Sequence, residues 1–162
     1  MTVRLFFHRW TGTKARRKSD PRPLKEPKLP TIDAIADDFA FLTDWDDRYR
    51  YIIELGRALE PLTDPERNAS SKVSGCVSQV WIVSRRSDDG RLNFRGDSDS
   101  TLVKGLVAIA FALFDGKIPA EIHATDAIAA FRALGLETHL TPQRSNGVRA
   151  MIQRIKADAA AG

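Results

Sequence analysis

The chain has 162 residues, of which 43% are hydrophobic and 28% are charged, and it contains a single cysteine. This size suffices for one globular domain, and one cysteine excludes both an intrachain disulfide and a multi-thiolate metal site. The net charge of +4 is unevenly distributed, because residues 1–30 hold nine Lys and Arg against two acidic residues, whereas residues 31–162 hold sixteen against nineteen. We therefore expect the domain to bind no nucleic acid.

Residues 1–30 are basic and rich in proline, which predicts a disordered tail ahead of a single domain over residues 31–162. The apolar triplet at residues 5–7 is too short for a secretory signal. The acid-poor composition is loosely similar to an organellar transit peptide, although a plain extension is favoured. No stretch is long and apolar enough to predict a membrane span. A chain with one cysteine and no exporting segment is expected in the reducing cytoplasm.

Two amphipathic helices are predicted at the start of the domain. Apolar residues recur at helical spacing after Thr31, which predicts a helix that ends near Leu42. Asp44 can cap a second helix, and Pro61 follows its last turn. Residues 60–72 are rich in turn formers, so a long loop is expected there.

Three short strands are predicted in the middle of the chain, at residues 73–76, 79–86 and 91–95. The dipeptide Asp89-Gly90 is typical of a two-residue hairpin turn between the last two strands. The sequence therefore predicts a small antiparallel sheet of three strands.

Three further helices are predicted after the strands. Residues 101–114 are apolar on nearly all sides apart from Lys104, which indicates a central helix whose lysine extends to solvent or pairs with an acid. Helices are also predicted at residues 127–134 and 142–159, with Gly135 ending the first of these. The fold class is therefore α+β, with a three-stranded sheet covered on one face by helices.

Cys76 lies in the segment Ser74-Gly75-Cys76-Val77-Ser78, just before a predicted strand. Gly75 permits a tight turn, and Ser74 and Ser78 are small enough to donate hydrogen bonds to a reactive thiolate. A lone cysteine is also a common small buried hydrophobe, so a non-catalytic docking module with a structural Cys76 stays open.

A cysteine hydrolase and a metal site are two other interpretations of Cys76. A hydrolase would need His123 or His139 as its base, but neither lies in a recognisable motif. The same residues have no metal-ligand spacing, so no metal site is expected.

Four sequence blocks, in order, cover nearly all of residues 32–156. They are Asp44-Trp45-Asp46-Asp47-Arg48-Tyr49 with Tyr51-Ile52-Ile53-Glu54-Leu55-Gly56, then Val73-Ser74-Gly75-Cys76-Val77-Ser78-Gln79-Val80-Trp81, then Gly96-Asp97-Ser98-Asp99 with Val103-Lys104-Gly105-Leu106, and His139-Leu140-Thr141-Pro142 with Arg144-Ser145 and Gly147. With these blocks the chain resembles the SufE family of sulfur-acceptor proteins, which are partners of cysteine desulfurases in iron–sulfur cluster assembly. That family is similar in fold to the U-type cluster scaffolds.

The resemblance implies a sulfur-transfer role for Cys76. It would accept sulfur from a SufS-type cysteine desulfurase, hold it as a persulfide, and pass it to a cluster scaffold as recipient. The protein would activate the desulfurase without being a stand-alone enzyme, and it would need no cofactor, because the pyridoxal phosphate belongs to that partner. A single thiol suits this role, since a second nearby cysteine would release the sulfur by forming a disulfide. A weak homodimer is left open.

The resemblance also implies a role for Arg144, and the position of Asp99 before a predicted helix suggests another. Arg144 would lie near the sulfur loop or the desulfurase surface, and the alternative is a salt bridge at a helix start. Asp99 is interpreted as a capping or dipole-matching acid for the helix at residues 101–114, with an influence on the sulfur loop as a secondary hypothesis. Because an exposed persulfide would be lost, residues 74–78 are expected to shelter the sulfur against an apolar patch until docking.

Overall fold

A computed structural model gives the structure of residues 29–161, so most of the predicted disordered tail lies outside the described residues. The elements, in chain order, are α1 (Ile32–Phe41), α2 (Trp45–Arg57), a 3-10 turn (Asp64–Glu66), β1 (Val80–Arg86), β2 (Leu92–Ser98), α3 (Thr101–Phe114), α4 (Pro119–Ala124), α5 (Ala127–Ala133), α6 (Leu136–His139) and α7 (Pro142–Ala160). The α+β class predicted from the sequence is confirmed.

The five predicted helices are confirmed as α1, α2, α3, α5 and α7. Their starts follow side-chain caps, as when Thr31 accepts a hydrogen bond from the backbone of Ala34 and Asp44 accepts one from Asp46. Helices α4 and α6 were not predicted, because they have only six and four residues and are too short to show a helical period.

The predicted three-stranded sheet was wrong, since β1 and β2 form a two-stranded antiparallel sheet in the described part of the chain. The expected strand at residues 73–76 is reduced to one bridge between Lys72 and Trp81. The backbone of Val73 still donates to Val80 at 2.8 Å, but Gly75 has a φ of +91°. This left-handed residue turns the chain away from β1, so the pairing ends there.

The turn between β1 and β2 is one residue longer than predicted. The strands pair from Val80 with Ser98 to Arg86 with Leu92, and Ser87 donates to the carbonyl of Arg91 at 2.8 Å. Three residues therefore lie in the loop, with Gly90 last at a φ of +85°. A glycine in this conformation is typical of three-residue hairpin loops.

Buried residues alternate with more exposed ones at the start of each strand, and β2 packs against the apolar helix α3, whereas β1 contacts α7. Helix α3 also packs against α2, backbone to backbone. A Cβ on Gly105 would lie 2.1 Å from the carbonyl oxygen of Ile52, and one on Gly56 would lie 2.7 Å from the backbone nitrogen of Gly105. These two glycines therefore let α2 and α3 approach more closely than side chains would permit.

Lys104 pairs with an acid, as predicted for the one charge on α3. Its Nζ lies 3.2 Å from Oδ1 of Asp97, and Arg67 contacts the other oxygen of this buried carboxylate at 2.6 Å. Burial by itself would raise the pKa of Asp97, but the hydrogen bonds from Arg67, the backbone of Ser98 and Lys104 outweigh it and lower that pKa. Through these ion pairs, the carboxylate of Asp97 on β2 connects α3 with the loop before Cys76.

Helix α7 packs against α3, α4 and β1 and completes the layer over the sheet. None of the helices in residues 29–161 combines the length and the apolar character that crossing a bilayer requires.

Candidate functional site

Cys76 lies on a short irregular segment between the Lys72 bridge and the start of β1. The left-handed conformation of Gly75 makes the turn that brings the cysteine under α7. A Cβ at Gly75 would be 3.5 Å from the Cβ of Ala150, which is ordinary contact. Glycine is therefore favoured at this position by its backbone conformation and not by lack of space.

Side chains hold the cysteine segment on both sides. On one side, Arg154 of α7 donates to the carbonyls of Ser70 at 2.8 Å and Lys72 at 3.3 Å. On the other side, Oδ1 of Asp99 accepts from the backbone nitrogen of Gln79 at 2.9 Å. The cysteine segment is thus a loop with two fixed ends.

The predicted capping role of Asp99 was wrong, because Ser100 is the N-cap of α3 and accepts from the backbone of Val103 at 3.4 Å. Instead, the carboxylate of Asp99 holds the end of the cysteine loop. The sequence offers two neighbouring residues that can cap a helix, Asp99 and Ser100. The backbone conformation places Ser100 at the N-cap position.

The sulfur of Cys76 is half-buried and points at α7. Its Sγ lies 3.6 Å from the carbonyl oxygen of Gly147, to which the thiol can donate a weak hydrogen bond. Burial raises the pKa of the Cys76 thiol. The expected hydrogen bonds from Ser74 and Ser78 to the sulfur do not form among the described residues. The resting sulfur is therefore a sheltered, protonated thiol at neutral pH.

A surface cavity of about 230 Å³ adjoins the sulfur. It is lined by Cys76, Val77, Ser78, Val103, Thr141, Gln143, Arg144, Gly147 and Met151. Its floor is apolar, since Val103 and Met151 are buried, whereas Gln143 and Arg144 are exposed. Val77, next to the cysteine, is 81% exposed, which is unusual for a large apolar side chain. The sulfur rests against an apolar patch, in agreement with the expected shelter.

Arg144 lies in the first turn of α7, three residues after the N-cap Thr141. The expected alternative, a salt bridge at the helix start, is not formed: within residues 29–161 its guanidinium has no ion pair and no hydrogen bond. The structure instead brings Arg144 and Cys76 to the same cavity. An unpaired guanidinium is therefore available at the cavity surface for an anion.

Gly147 is a functional candidate whose role the sequence did not reveal. A glycine inside a helix costs about 0.5–1 kcal/mol relative to alanine. A Cβ at this position would meet only Cys76, at 3.6 Å from Sγ and 4.0 Å from Cβ. The one sequence signal for Gly147 was the presence of a glycine inside the apolar pattern of residues 142–159. No sequence signal marks Arg154 as a contact of the cysteine loop.

The two histidines proposed as hydrolase bases lie away from the cavity lining. The His139 ring stacks on Trp45 with 3.4 Å between centroids, and its Nδ1 lies 3.0 Å from the carbonyl oxygen of Gly135. His123 is on α4 and is exposed. Residues 29–161 contain no cluster of three or more His, Cys, Asp or Glu side chains suited to a metal ion. Among residues 29–161, the cavity thus holds a thiol without a histidine base beside it.

Comparisons with known proteins agree with these features. A family model described as SufE, an Fe-S metabolism associated domain, matches residues 33–159. An uncharacterised SufE-like protein of Rhizobium etli is 49% identical over 134 residues, which covers 81% of this chain and 90% of that protein. A second such protein, of Rhizobium meliloti, is 48% identical over 134 residues, covering 81% of this chain and 96% of that protein.

A solved structure is also similar in fold. The solution structure of a hypothetical protein from Thermus thermophilus matches with a TM-score of 0.65 at 18% identity, covering 83% of this chain and 98% of that one. At this identity the likeness shows the fold alone.

Proposed function

The chain belongs to the SufE family, and from this premise we propose that it is a sulfur carrier for iron–sulfur cluster assembly. Cys76 accepts one sulfur from the cysteine persulfide of a SufS-type desulfurase and passes it to a cluster scaffold. The observation that supports this most is the placement of the sulfur: it is half-buried at a cavity with room beside it, instead of being enclosed in the core. A purely structural cysteine is normally packed tightly on all sides.

The proposed transfer balances without an added oxidant. The thiolate of Cys76 attacks the outer sulfur of the donor persulfide, so a sulfur–sulfur bond forms at Sγ while the donor's own sulfur–sulfur bond breaks. The donor cysteine leaves as a thiolate and takes up the proton that Cys76 released. Pyridoxal phosphate is used by the desulfurase, and the carrier itself needs no cofactor. We place the carrier in the reducing cytoplasm, where one free thiol persists.

Activation of the thiol is part of the proposal. Burial favours the protonated form of Cys76 in the resting loop. Attack therefore requires the sulfur to leave the cavity when the desulfurase docks, and Gly75 is the residue best suited to act as a hinge. Arg144 then offers its guanidinium either to the thiolate or to a partner carboxylate.

Mass spectrometry of the intact protein tests the proposed transfer. Incubation with desulfurase, pyridoxal phosphate and cysteine should add about 32 Da, the mass of one sulfur atom. Cys76→Ser should abolish both this adduct and any stimulation of the desulfurase. If the serine variant stimulates the desulfurase as well as the native protein does, sulfur acceptance is not the mechanism.

The raised pKa of Cys76 favours one second candidate, a docking module with a structural cysteine. That candidate predicts a thiol that is inert toward iodoacetamide in the folded protein. The alternative of a cysteine hydrolase gains no support from the geometry, since neither His123 nor His139 lines the cavity.

A further inference from the structure

We infer that Gly147 is a specificity-determining residue that leaves space for the second sulfur of a Cys76 persulfide. This inference rests on the proposed function and deepens it. A side chain at position 147 would fit beside the free thiol of the empty carrier, but it would obstruct the persulfide of the loaded carrier.

Gly147 differs from the other two glycines inside the described helices. Gly56 and Gly105 are required by packing, since a Cβ on either would approach a neighbouring backbone atom to less than 3.0 Å. At Gly147 the added Cβ would touch nothing but Cys76, and that contact would be ordinary. Neither helix packing nor the free thiol therefore explains why this position of α7 lacks a side chain.

The position that a Cβ on Gly147 would occupy explains why a side chain is absent. A Cβ on Gly147 would be 3.6 Å from Sγ and 4.0 Å from Cβ of Cys76, so it would lie nearly at a right angle to the Cβ–Sγ bond. Bonds at a divalent sulfur also lie close to a right angle to each other. A second sulfur, bonded at about 2.05 Å from Sγ, therefore enters the space of that Cβ over part of its rotation.

The surroundings of this space suit a persulfide. Val103 and Met151 offer apolar surface to the sulfur atoms. The space also lies beside the first turns of α7, whose N-terminal end favours negative charge, and beside the unpaired guanidinium of Arg144. An anionic terminal sulfur can thus be held in the cavity after transfer.

The test compares Gly147→Ala with Asn146→Ala, a matched control at an exposed position of the same helix that does not line the cavity. Each protein is loaded with glutathione persulfide, whose outer sulfur is attacked by Cys76 as glutathione leaves as a thiolate, and separately with desulfurase and cysteine. Mass spectrometry gives the yield and lifetime of the adduct. Circular dichroism and the rate of iodoacetamide labelling report on the fold and on the free thiol.

We expect Gly147→Ala to fold and to react with iodoacetamide within about twofold of the native rate, while its persulfide yield or lifetime falls by about fivefold or more. Asn146→Ala should match the native protein in every assay. If Gly147→Ala holds the persulfide as well as the native protein does, the inference is overturned and the proposed function stands. If native protein loads from glutathione persulfide but not from the desulfurase, the proposed function fails and the comparison of variants still decides the inference. If it loads from neither, both are wrong.

Discussion

At the scale of single residues, the site combines shelter with low intrinsic reactivity. The sulfur of Cys76 is half-buried against α7, and the nearest polar atom is a carbonyl oxygen, which cannot stabilise a thiolate. The exposed Arg144 lies at the same cavity, but burial governs the pKa of the thiol and raises it. The resting arrangement protects the thiol, so reactivity has to be gained from a change that accompanies docking.

The pH dependence of thiol alkylation tests this arrangement. Because burial raises the pKa of Cys76, the rate of labelling by iodoacetamide should rise with a midpoint above the ordinary cysteine pKa of about 8.5. The fold favours the protonated thiol, so the stability that Cys76 contributes is complete below that ordinary pKa and is lost as pH rises through the raised one.

A catalytically inactive desulfurase should lower this midpoint if the loop leaves the cavity on docking. Cys76→Ser serves as the control for labelling at other sites. A midpoint at or below the ordinary pKa in the free protein would contradict a sheltered thiol.

Predictions for single residues were accurate where the residue type itself favours a particular backbone conformation. Gly75 was expected to form a tight turn, and its φ of +91° agrees. The hydrogen bonds expected from Ser74 and Ser78 to the sulfur are absent from the resting loop, because they depend on where each hydroxyl points, which the sequence does not specify. The role of Asp99 depended on a difference of one residue in the cap of α3.

At the scale of secondary-structure elements, α7 positions the cysteine loop. Gly147, Ala150 and Arg154 lie on the side of this helix that faces the segment around Cys76, and Gly147 and Arg154 contact that segment directly. Arg154 makes the strongest of these contacts. Its guanidinium donates to the carbonyls of Ser70 and Lys72, and a salt bridge to Asp158 at 2.8 Å orients it.

Arg154→Met is expected to release the segment that leads to Cys76. Loss of hydrogen bonds from a charged group, with carbonyls left unpaired, should lower the free energy of unfolding by about 1–3 kcal/mol. Hydrogen exchange should become faster at residues 70–73, and labelling of Cys76 should accelerate. Gln153→Met, an exposed change on the same helix, should leave both measurements unchanged. Unaltered exchange at residues 70–73 in Arg154→Met would show that α7 does not hold this segment.

Elements with a clear period were predictable from the sequence, and those defined by long-range contacts were not. Helix α3 was predicted at its observed bounds, because its run of apolar residues is a local signal, whereas the residue that caps it was not identified. The predicted third strand does not form, because Val73 makes one backbone hydrogen bond to β1 before Gly75 turns the chain away. The short helices α4 and α6 depend on their packing, and no local signal was strong enough to predict them.

At the scale of the whole molecule, the close approach of α2 and α3 forms the base of the fold. Gly105 lies against the backbone of Ile52, and α3 in turn covers the sheet and contacts α7. The site is thus built on a closely packed helix layer, whereas the cysteine itself is on a loop. The contact between Cys76 and Gly147 joins residues 71 positions apart, and no local pattern could have predicted it.

Gly105→Ala should therefore be the most destabilising single-methyl change in the described part of the chain. The new Cβ would lie 2.1 Å from the carbonyl oxygen of Ile52, so α2 and α3 would have to separate. We expect a loss of about 3 kcal/mol or more in chemical denaturation. Gly147→Ala in the free-thiol protein is the matched control and should keep or raise the stability, because its Cβ meets only ordinary contacts. Equal stabilities of the two variants would contradict the proposed role of the α2–α3 contact.

The spacing of the α7 contacts has an evolutionary consequence. Gly147, Ala150 and Arg154 are three and four residues apart, so they share one face only while the helical phase between them is unbroken. One inserted or deleted residue would rotate Arg154 by about 100° away from the cysteine loop. Length changes among relatives are therefore expected to accumulate at the hairpin tip near Gly90, at the opposite end of β1, and to avoid this stretch of the last helix.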